Sequence, residues 1–327
     1  VLDCALRLFR EPQVTRLIEC QLCPKLCRIA PGQSGECRIR VNIDGKLTAV
    51  TYGHPSALHV DPIEKKPLFH FRPGVPILSV ATAGCNLHCR NCQNWELSQG
   101  NPEEMDTYAV PPARLVRMAL RERCPAIAYT YSEPIVYYAY TLDSARRARE
   151  RGLANVLVTA GYGNAGPMRE LFRQCDAANI DLKFFDDGLY RRICQGSLAP
   201  VLNFIALARE MGLWVEITNL VIPTLNDQVE QLEKMARWIV ANVGAGTPLH
   251  LSRFWPRHRL KNLPPTPVET LVRLRDAAKG AGLHHVYVGN VPGNRGEHTY
   301  CPKDGTLLVE RRRYVVGSNL IDDQGRC

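Results

Sequence analysis

From Val75 onward, short apolar runs alternate with longer segments of helical periodicity. The runs are PILSVATAG, AIAYTYS, NVLVTAG, NIDLKFF, LWVEITNLVIP, PLHLSRF and HHVYVGN. They lack strict polar alternation, as expected of strands covered on both faces in a parallel sheet. Between them lie amphipathic stretches such as PARLVRMALRER and DQVEQLEKMARWIVANVG. Pro134 suits the first turn of one helix, and Gly152 suits the stop after RRARER. Thr266 with Glu269 forms a capping-box pattern before the last helix. Six or seven β–α repeats over 75–290 predict an α/β fold, a partial or full TIM-like barrel. A doubly wound open sheet is the alternative, but no Gly-x-Gly-x-x-Gly follows the first strand.

The preceding stretch reads as a separate, loop-rich and Cys-rich segment. Its clearest regular signal is RIRVNIDGKLTAVTYG, two alternating runs around Asp44-Gly45 that predict a β-hairpin. Pro62, Pro67 and Pro73 then mark a connection, since proline cannot donate to a strand ladder. The predicted organisation is a Cys-rich segment over 1–72, a barrel over 73–292 and a short Cys-containing tail over 293–327.

The chain has 327 residues, 41 Lys+Arg against 32 Asp+Glu for a formal charge of +9, and 13 cysteines. The length is sufficient for a substantial core. No run approaches the ~18 apolar residues of a membrane span, and VLDCALRLFREP lacks a signal-peptide core, so a cytoplasmic protein is expected. In such a protein, cysteines serve metal or redox chemistry more readily than a disulfide scaffold. The excess charge and Arg311-Arg312-Arg313 carry no aromatic-interleaved basic motif. They predict a solvated basic surface facing an acidic protein partner, and nucleic-acid binding is not expected.

The cysteines fall into groups. Cys85, Cys89 and Cys92, in ATAGCNLHCRNCQNW, follow the first barrel strand, where TIM-type active sites form. Three thiolates hold three irons of a [4Fe–4S] cluster and leave the fourth iron open, whereas an ordinary electron-transfer cluster uses four. Zinc held by three cysteines and His88 is the alternative, at an unusual spacing. Cys20, Cys23, Cys27 and Cys37 supply enough thiolates for a second closed site, either structural zinc or an auxiliary [4Fe–4S] cluster. Cys301 and Cys327 lie in the tail; Cys4, Cys124, Cys175 and Cys194 read as small buried hydrophobes.

At Cys85-x3-Cys89-x2-Cys92 the chain resembles the radical S-adenosylmethionine (SAM) superfamily. More narrowly it resembles the AmmeMemoRadiSam system radical SAM enzymes, relatives of the pyruvate formate-lyase activating enzymes. The resemblance also takes in CQLCPKLCRIAPGQSGECRIR, DPIEKKPLFHF, AYTYSEP, DLKFF, EITNLVIPTLND, PLHLSRFWP and VYVGNVPG. It implies a [4Fe–4S] cluster whose open iron is chelated by SAM. One electron then cleaves SAM to methionine and a 5′-deoxyadenosyl radical, which abstracts hydrogen from a substrate. A flavodoxin or ferredoxin would supply the electron. The substrate is a partner protein or a small molecule; non-radical group transfer from SAM and a metal-binding electron carrier are the competing functions.

By this resemblance Tyr131, Ser132 and Glu133 shape the site for the SAM ammonium. Thr159, Asp181, Lys183 and Asn219 are further SAM contacts, and His250, at the end of the sixth strand, lies near the adenosine. Asp181 and Lys183, two apart, share one face of their strand, where a mutual ion pair is the plainer reading. Asn91 stands where many members carry an aromatic residue that contacts adenine, and the ring contact would come instead from Trp95 or from elsewhere. The tail resembles a Cys-x2-Cys ribbon with Asp304 at the second cysteine position, which predicts an incomplete ribbon.

Overall fold

The computed structural model describes residues 16–322 and 325–326. Cys4 and Cys327 therefore lie outside the described residues. Two short antiparallel pairs come first: β1 (Ile18–Glu19) with β2 (Arg28–Ile29), and β3 (Arg40–Ile43) with β4 (Lys46–Ala49). The second pair is the hairpin expected at Asp44-Gly45, whose φ values of 49° and 77° give the twist that a two-residue turn needs.

One eight-stranded sheet organises the rest. β5 (Ala57–Pro62) runs antiparallel to β6 (Pro76–Ala81). Then β7 (Ala126–Tyr129), β8 (Ala154–Thr159), β9 (Ala177–Asp181), β10 (Trp214–Val221), β11 (Leu249–Arg253) and β12 (Val286–Gly289) add in parallel. The intervening helices are α1 (Trp95–Gln99), α2 (Pro112–Arg121), α3 (Tyr138–Arg149), α4 (Ala165–Phe172), the single turn α5 (Asp187–Leu189), α6 (Leu198–Glu210), α7 (Val229–Asn242) and α8 (Val268–Gly280). Spatial order follows chain order from β5 to β12 without reversal. Right-handed crossovers then place every helix layer on the same face of the sheet. That is the barrel arrangement, not the doubly wound one, whose strand order reverses at a switch point. β5 and β12 form the two ends of the sheet, so the barrel is partial.

Several local expectations differ. The sheet begins at β5, within the stretch read as a separate segment, because the apolar run ending at Pro62 pairs in full with β6. Pro134 lies in a turn ahead of α3 rather than in its first turn. The Thr266 hydroxyl donates to the Val221 carbonyl (2.6 Å) instead of capping α8.

The tail folds as β13 (Thr299–Tyr300), β14 (Leu307–Arg312) and β15 (Val315–Asn319), antiparallel throughout. Cys301 packs with Leu308 and Val309 in its small apolar cluster. The Asp304 carboxylate accepts from the Thr306 amide (2.9 Å). Arg311 is not part of a solvated basic run. It is 1% exposed, donates to the Phe69 carbonyl (2.6 Å) and Thr299 Oγ1 (2.7 Å), and lies over the Phe69 ring. This guanidinium pins the tail to the N-terminal end of the barrel. Among the described residues no helix is long and apolar enough to cross a membrane.

Candidate active site at the barrel mouth

The loop after β6 carries Cys85, Cys89 and Cys92 and is held from two sides. At Gly84 (φ 97°) a Cβ would lie 2.7 Å from the Cys37 carbonyl oxygen and 2.8 Å from Ile39 Cγ2, so the N-terminal segment packs directly on the loop. Opposite, the His88 amide donates to the Cys194 carbonyl and the Arg90 amide to that of Ile193, both at 2.9 Å. These acceptors end a π-helical turn, Tyr190–Cys194. Asn86 Nδ2 donates to the Tyr162 carbonyl (2.7 Å), and its side chain also reaches the Cys23 thiol.

Polar groups face the sulfurs. The Leu87 amide points at Cys85 Sγ (3.4 Å), and the Ser98 hydroxyl lies 3.1 Å from Cys92 Sγ. The hydrogen bond with Cys194 lowers the Cys89 thiol pKa against the opposing effect of burial, and the Lys183 ammonium adds to the lowering. Burial pushes the Cys85 and Cys92 thiols up. Among the described residues, no three Cys, His, Asp or Glu side chains close onto a single-ion position. The fit to a multi-iron group rests on the donor set: three soft sulfurs on one loop, N–H and O–H groups directed at them, and a cation nearby.

That cation is Lys183, just past the end of β9, with its Nζ 2.8 Å from Asp181 Oδ2. Burial opposes its charge, but Asp181 and the sulfurs of Cys89 and Cys194 hold its pKa well above the ordinary value. The expected ion pair at the mouth is thus present. Asn219 Nδ2 ties the same turn down, donating to the Leu182 (2.7 Å) and Lys183 (3.1 Å) carbonyls.

Glu133 is 1% exposed and lies within electrostatic reach of Cys85 and Lys183. One oxygen accepts from Thr159 Oγ1 (2.6 Å) and the Ile135 amide (3.1 Å), the other from the Ala160 amide (2.8 Å). Burial raises its pKa against these donors. Both carboxylate oxygens are therefore committed to fixing the ends of β7 and β8. Gly161 (φ 65°) completes this corner, where a Cβ would meet Ile180 Cγ2 at 2.9 Å. The Ser132 hydroxyl donates to the Thr82 carbonyl (2.7 Å). Tyr131 takes a left-handed backbone (φ 62°), turns its carbonyl to Asn94 Nδ2 (2.8 Å) and hydrogen-bonds Asp61 through its hydroxyl.

His250 departs from expectation. It is the second residue of β11, at the end opposite the mouth, and its Nε2 lies 2.7 Å from the buried Glu216 Oε2. Its ring stacks on Tyr287 with centroids 5.1 Å apart. The motif identifies the strand but not the end of it from which the side chain projects.

Two residues that touch candidate site residues were not singled out by the sequence. Cys194, read as packing, has its thiol within hydrogen-bonding reach of the Cys89 thiol; nothing near it in the chain signals this. Lys66 is 1% exposed, 2.7 Å from Asp61 Oδ2 and 4.2 Å above the Tyr131 ring; burial lowers it to about 8 against the pull of Asp61. Two adjacent lysines inside the apolar stretch DPIEKKPLFHF were the available signal. Cys20, Cys23, Cys27 and Cys37 all line one small cavity that also touches Asn86 of the central loop.

A sequence model of the Radical SAM superfamily matches residues 79–239, from β6 into α7. An uncharacterized protein of Methanocaldococcus jannaschii is 44% identical over 315 residues, 96% of this chain and 93% of its own length. The pyruvate formate-lyase-activating enzyme of Clostridium pasteurianum is 26% identical over 175 residues, covering 52% of this chain and 71% of that protein. Among solved structures, a radical SAM methyltransferase from Sphaerobacter thermophilus shares the fold, with a TM-score of 0.53 and 17% identity over 72% of this chain and 71% of that one. Such a family implies an iron–sulfur cluster and SAM as cofactors. A cysteine loop at the mouth of a partial parallel barrel, facing a paired lysine and a buried glutamate, fits this membership: the chain is an enzyme of the radical SAM superfamily.

Proposed function

We propose that Cys85, Cys89 and Cys92 hold a [4Fe–4S] cluster and that SAM binds across the mouth beside it. When bound, the two supply reductive cleavage of SAM to methionine and a 5′-deoxyadenosyl radical that takes hydrogen from the substrate. The observation that carries this reading is the meeting of the cysteine loop with Lys183 and Glu133 at the C-terminal ends of the parallel strands.

The chain's own residues divide the remaining work. Lys183 sets a positive charge against the sulfur anions, with Asp181 fixing its position. Glu133 and Thr159 hold the strand ends, so that the 131–133 backbone presents its carbonyls to the SAM ammonium. Asn219 keeps the turn bearing Lys183 in place. His250 has no part here, because it is enclosed at the other end of the barrel.

The N-terminal quartet holds a second metal group, for which its open spacing suits an iron–sulfur cluster better than a single zinc ion, and this group steadies the catalytic loop through Asn86 and the Cys37–Gly84 contact. An electron carrier of the flavodoxin or ferredoxin kind supplies the reductant, and the relationship to an activating enzyme supports a partner protein as one substrate class. The described cysteines are all free thiols, which suits the cytoplasm.

The test is electron paramagnetic resonance of the anaerobically reconstituted, reduced protein. A cluster with an open iron changes its signal when SAM is added. An unchanged signal identifies a fully ligated cluster, the electron-carrier reading. A changed signal with products other than methionine and 5′-deoxyadenosine identifies non-radical transfer.

A further inference from the structure

A cleft of about 410 Å3 lies beside the cysteine loop, and of the candidates named from the sequence only His88 and Trp95 line it. Its walls come from three loops that follow parallel strands: His88, Trp95 and Gln99 after β6, Gln195 after β9, and His258 with Arg259 after β11. Arg38 of the N-terminal segment closes one side. Loops at these strand ends are where barrel enzymes hold substrates, and the volume lies within the usual range for a small-molecule site. His88 stands between Cys85 and Cys89, so the cleft borders the catalytic loop. Tyr131, Glu133, Asp181 and Lys183 do not line it.

The wall chemistry is specific. The Trp95 and His258 rings stack on one another, 15° apart with centroids at 5.1 Å, so a third ring can extend the stack on an outer face. Burial, with Arg259 and Lys261 nearby, lowers the His258 pKa, which favours the neutral ring. Arg38 Nη2 donates to Gln99 Oε1 (3.3 Å), while its Nη1 is buried without a hydrogen-bond partner. A buried guanidinium nitrogen left unpaired is costly, and an anionic group supplies what it lacks. Arg259 adds an exposed second guanidinium, and exposed Glu96 offsets one of the two charges. Arg38, Gln195 and His258 also hold left-handed backbones (φ 68°, 56° and 50°), a strain that proteins retain at ligand sites.

We infer that this cleft binds the hydrogen-donating substrate, a small molecule with a planar ring and a carboxylate or phosphate group. The ring extends the Trp95–His258 stack on one outer face, and the anion is held by Arg38 and Arg259. This rests on the radical reading above for the fate of the bound molecule, but not for its binding.

The test uses the reconstituted full chain with three probes: 4-nitrophenyl phosphate, 4-nitrobenzoate and the neutral 4-nitrobenzyl alcohol. Binding is followed by equilibrium dialysis and by quenching of tryptophan emission. At least one anion should bind ten-fold or more tightly than the alcohol, and the tighter anion names the group preferred. Arg38→Gln should weaken the anions about ten-fold and leave the alcohol unaffected; Arg259→Gln, at an exposed site, should act in the same direction. Trp95→Leu should weaken all three and remove most of the quenching. Equal binding of anions and alcohol, no binding of any probe, or stoichiometric displacement of the probe by SAM would each overturn the inference. The wild-type chain reduced with SAM alone reports on the radical reading separately, since 5′-deoxyadenosine forms there without any probe.

Discussion

Replacing His250 with alanine separates a cofactor contact from a structural hydrogen bond. Glu216 is fully buried and accepts four hydrogen bonds: from the Phe69 amide (3.0 Å), the His70 amide (2.9 Å), Trp214 Nε1 (3.1 Å) and His250 Nε2 (2.7 Å). The substitution leaves that buried carboxylate without its shortest hydrogen bond. Removing one member of a buried pair costs about 3–5 kcal/mol, a large fraction of the stability of an ordinary domain. At a urea m-value near ~3 kcal/mol/M, the midpoint should fall by roughly 1–2 M. The pH dependence has a definite sign. Burial opposes the Glu216 charge, but His250 holds its pKa down at about 2, below the ordinary 4.5. Its contribution is therefore complete above pH 4.5 and is lost as the pH falls through about 2. Burial also lowers His70 and His285 to about 4, which destabilises the fold in acid. The stability gap between the two proteins should thus narrow below pH 4.5. The assays are urea denaturation of the metal-free protein across this pH range and SAM affinity of the reconstituted protein by equilibrium dialysis. A ten-fold loss of SAM affinity at an unchanged urea midpoint would refute the reasoning and return His250 to the mouth.

Three further outcomes follow from the site. Glu133→Gln keeps the side-chain shape but turns an NH2 group toward buried donors at Thr159 or Ala160; it should cost about 1–3 kcal/mol in denaturation and raise the SAM dissociation constant several-fold. Gly161→Ala places a Cβ 2.9 Å from Ile180 Cγ2 on a left-handed backbone, and should lower stability by about 1–3 kcal/mol, read as a lower urea midpoint. The double substitution Cys20→Ser, Cys27→Ser should remove the second metal, measured by elemental analysis, and reduce iron loading at Cys85, Cys89 and Cys92. Unchanged metal content would show that the quartet binds none.

The parallel barrel was legible because buried strands and amphipathic helices alternate from Val75 with little interruption. The hairpin was legible because Asp44-Gly45 supports the positive φ values that its turn requires. What stayed hidden depends on direction and on long-range pairing. His250 sits in a motif that fixes its strand, yet only its hydrogen bond to Glu216, which also holds the Phe69 and His70 amides, shows which end it faces. Arg311 looked like one of three solvated arginines until the tail folded it onto Phe69, far away in the chain. Cys194 meets Cys89 only because the π-helical turn presents its carbonyls to the loop, and a single cysteine in RRICQG carries no such signal.

The central claim, a radical-generating site on Cys85, Cys89 and Cys92, is tested most directly by 5′-deoxyadenosine itself. The reconstituted chain is reduced with dithionite in the presence of SAM, and the products are quantified for the wild type and for Cys89→Ala. The account predicts 5′-deoxyadenosine and methionine from the wild type, and neither above background from Cys89→Ala. No 5′-deoxyadenosine from a fully loaded wild type, or equal yields from both proteins, would contradict it.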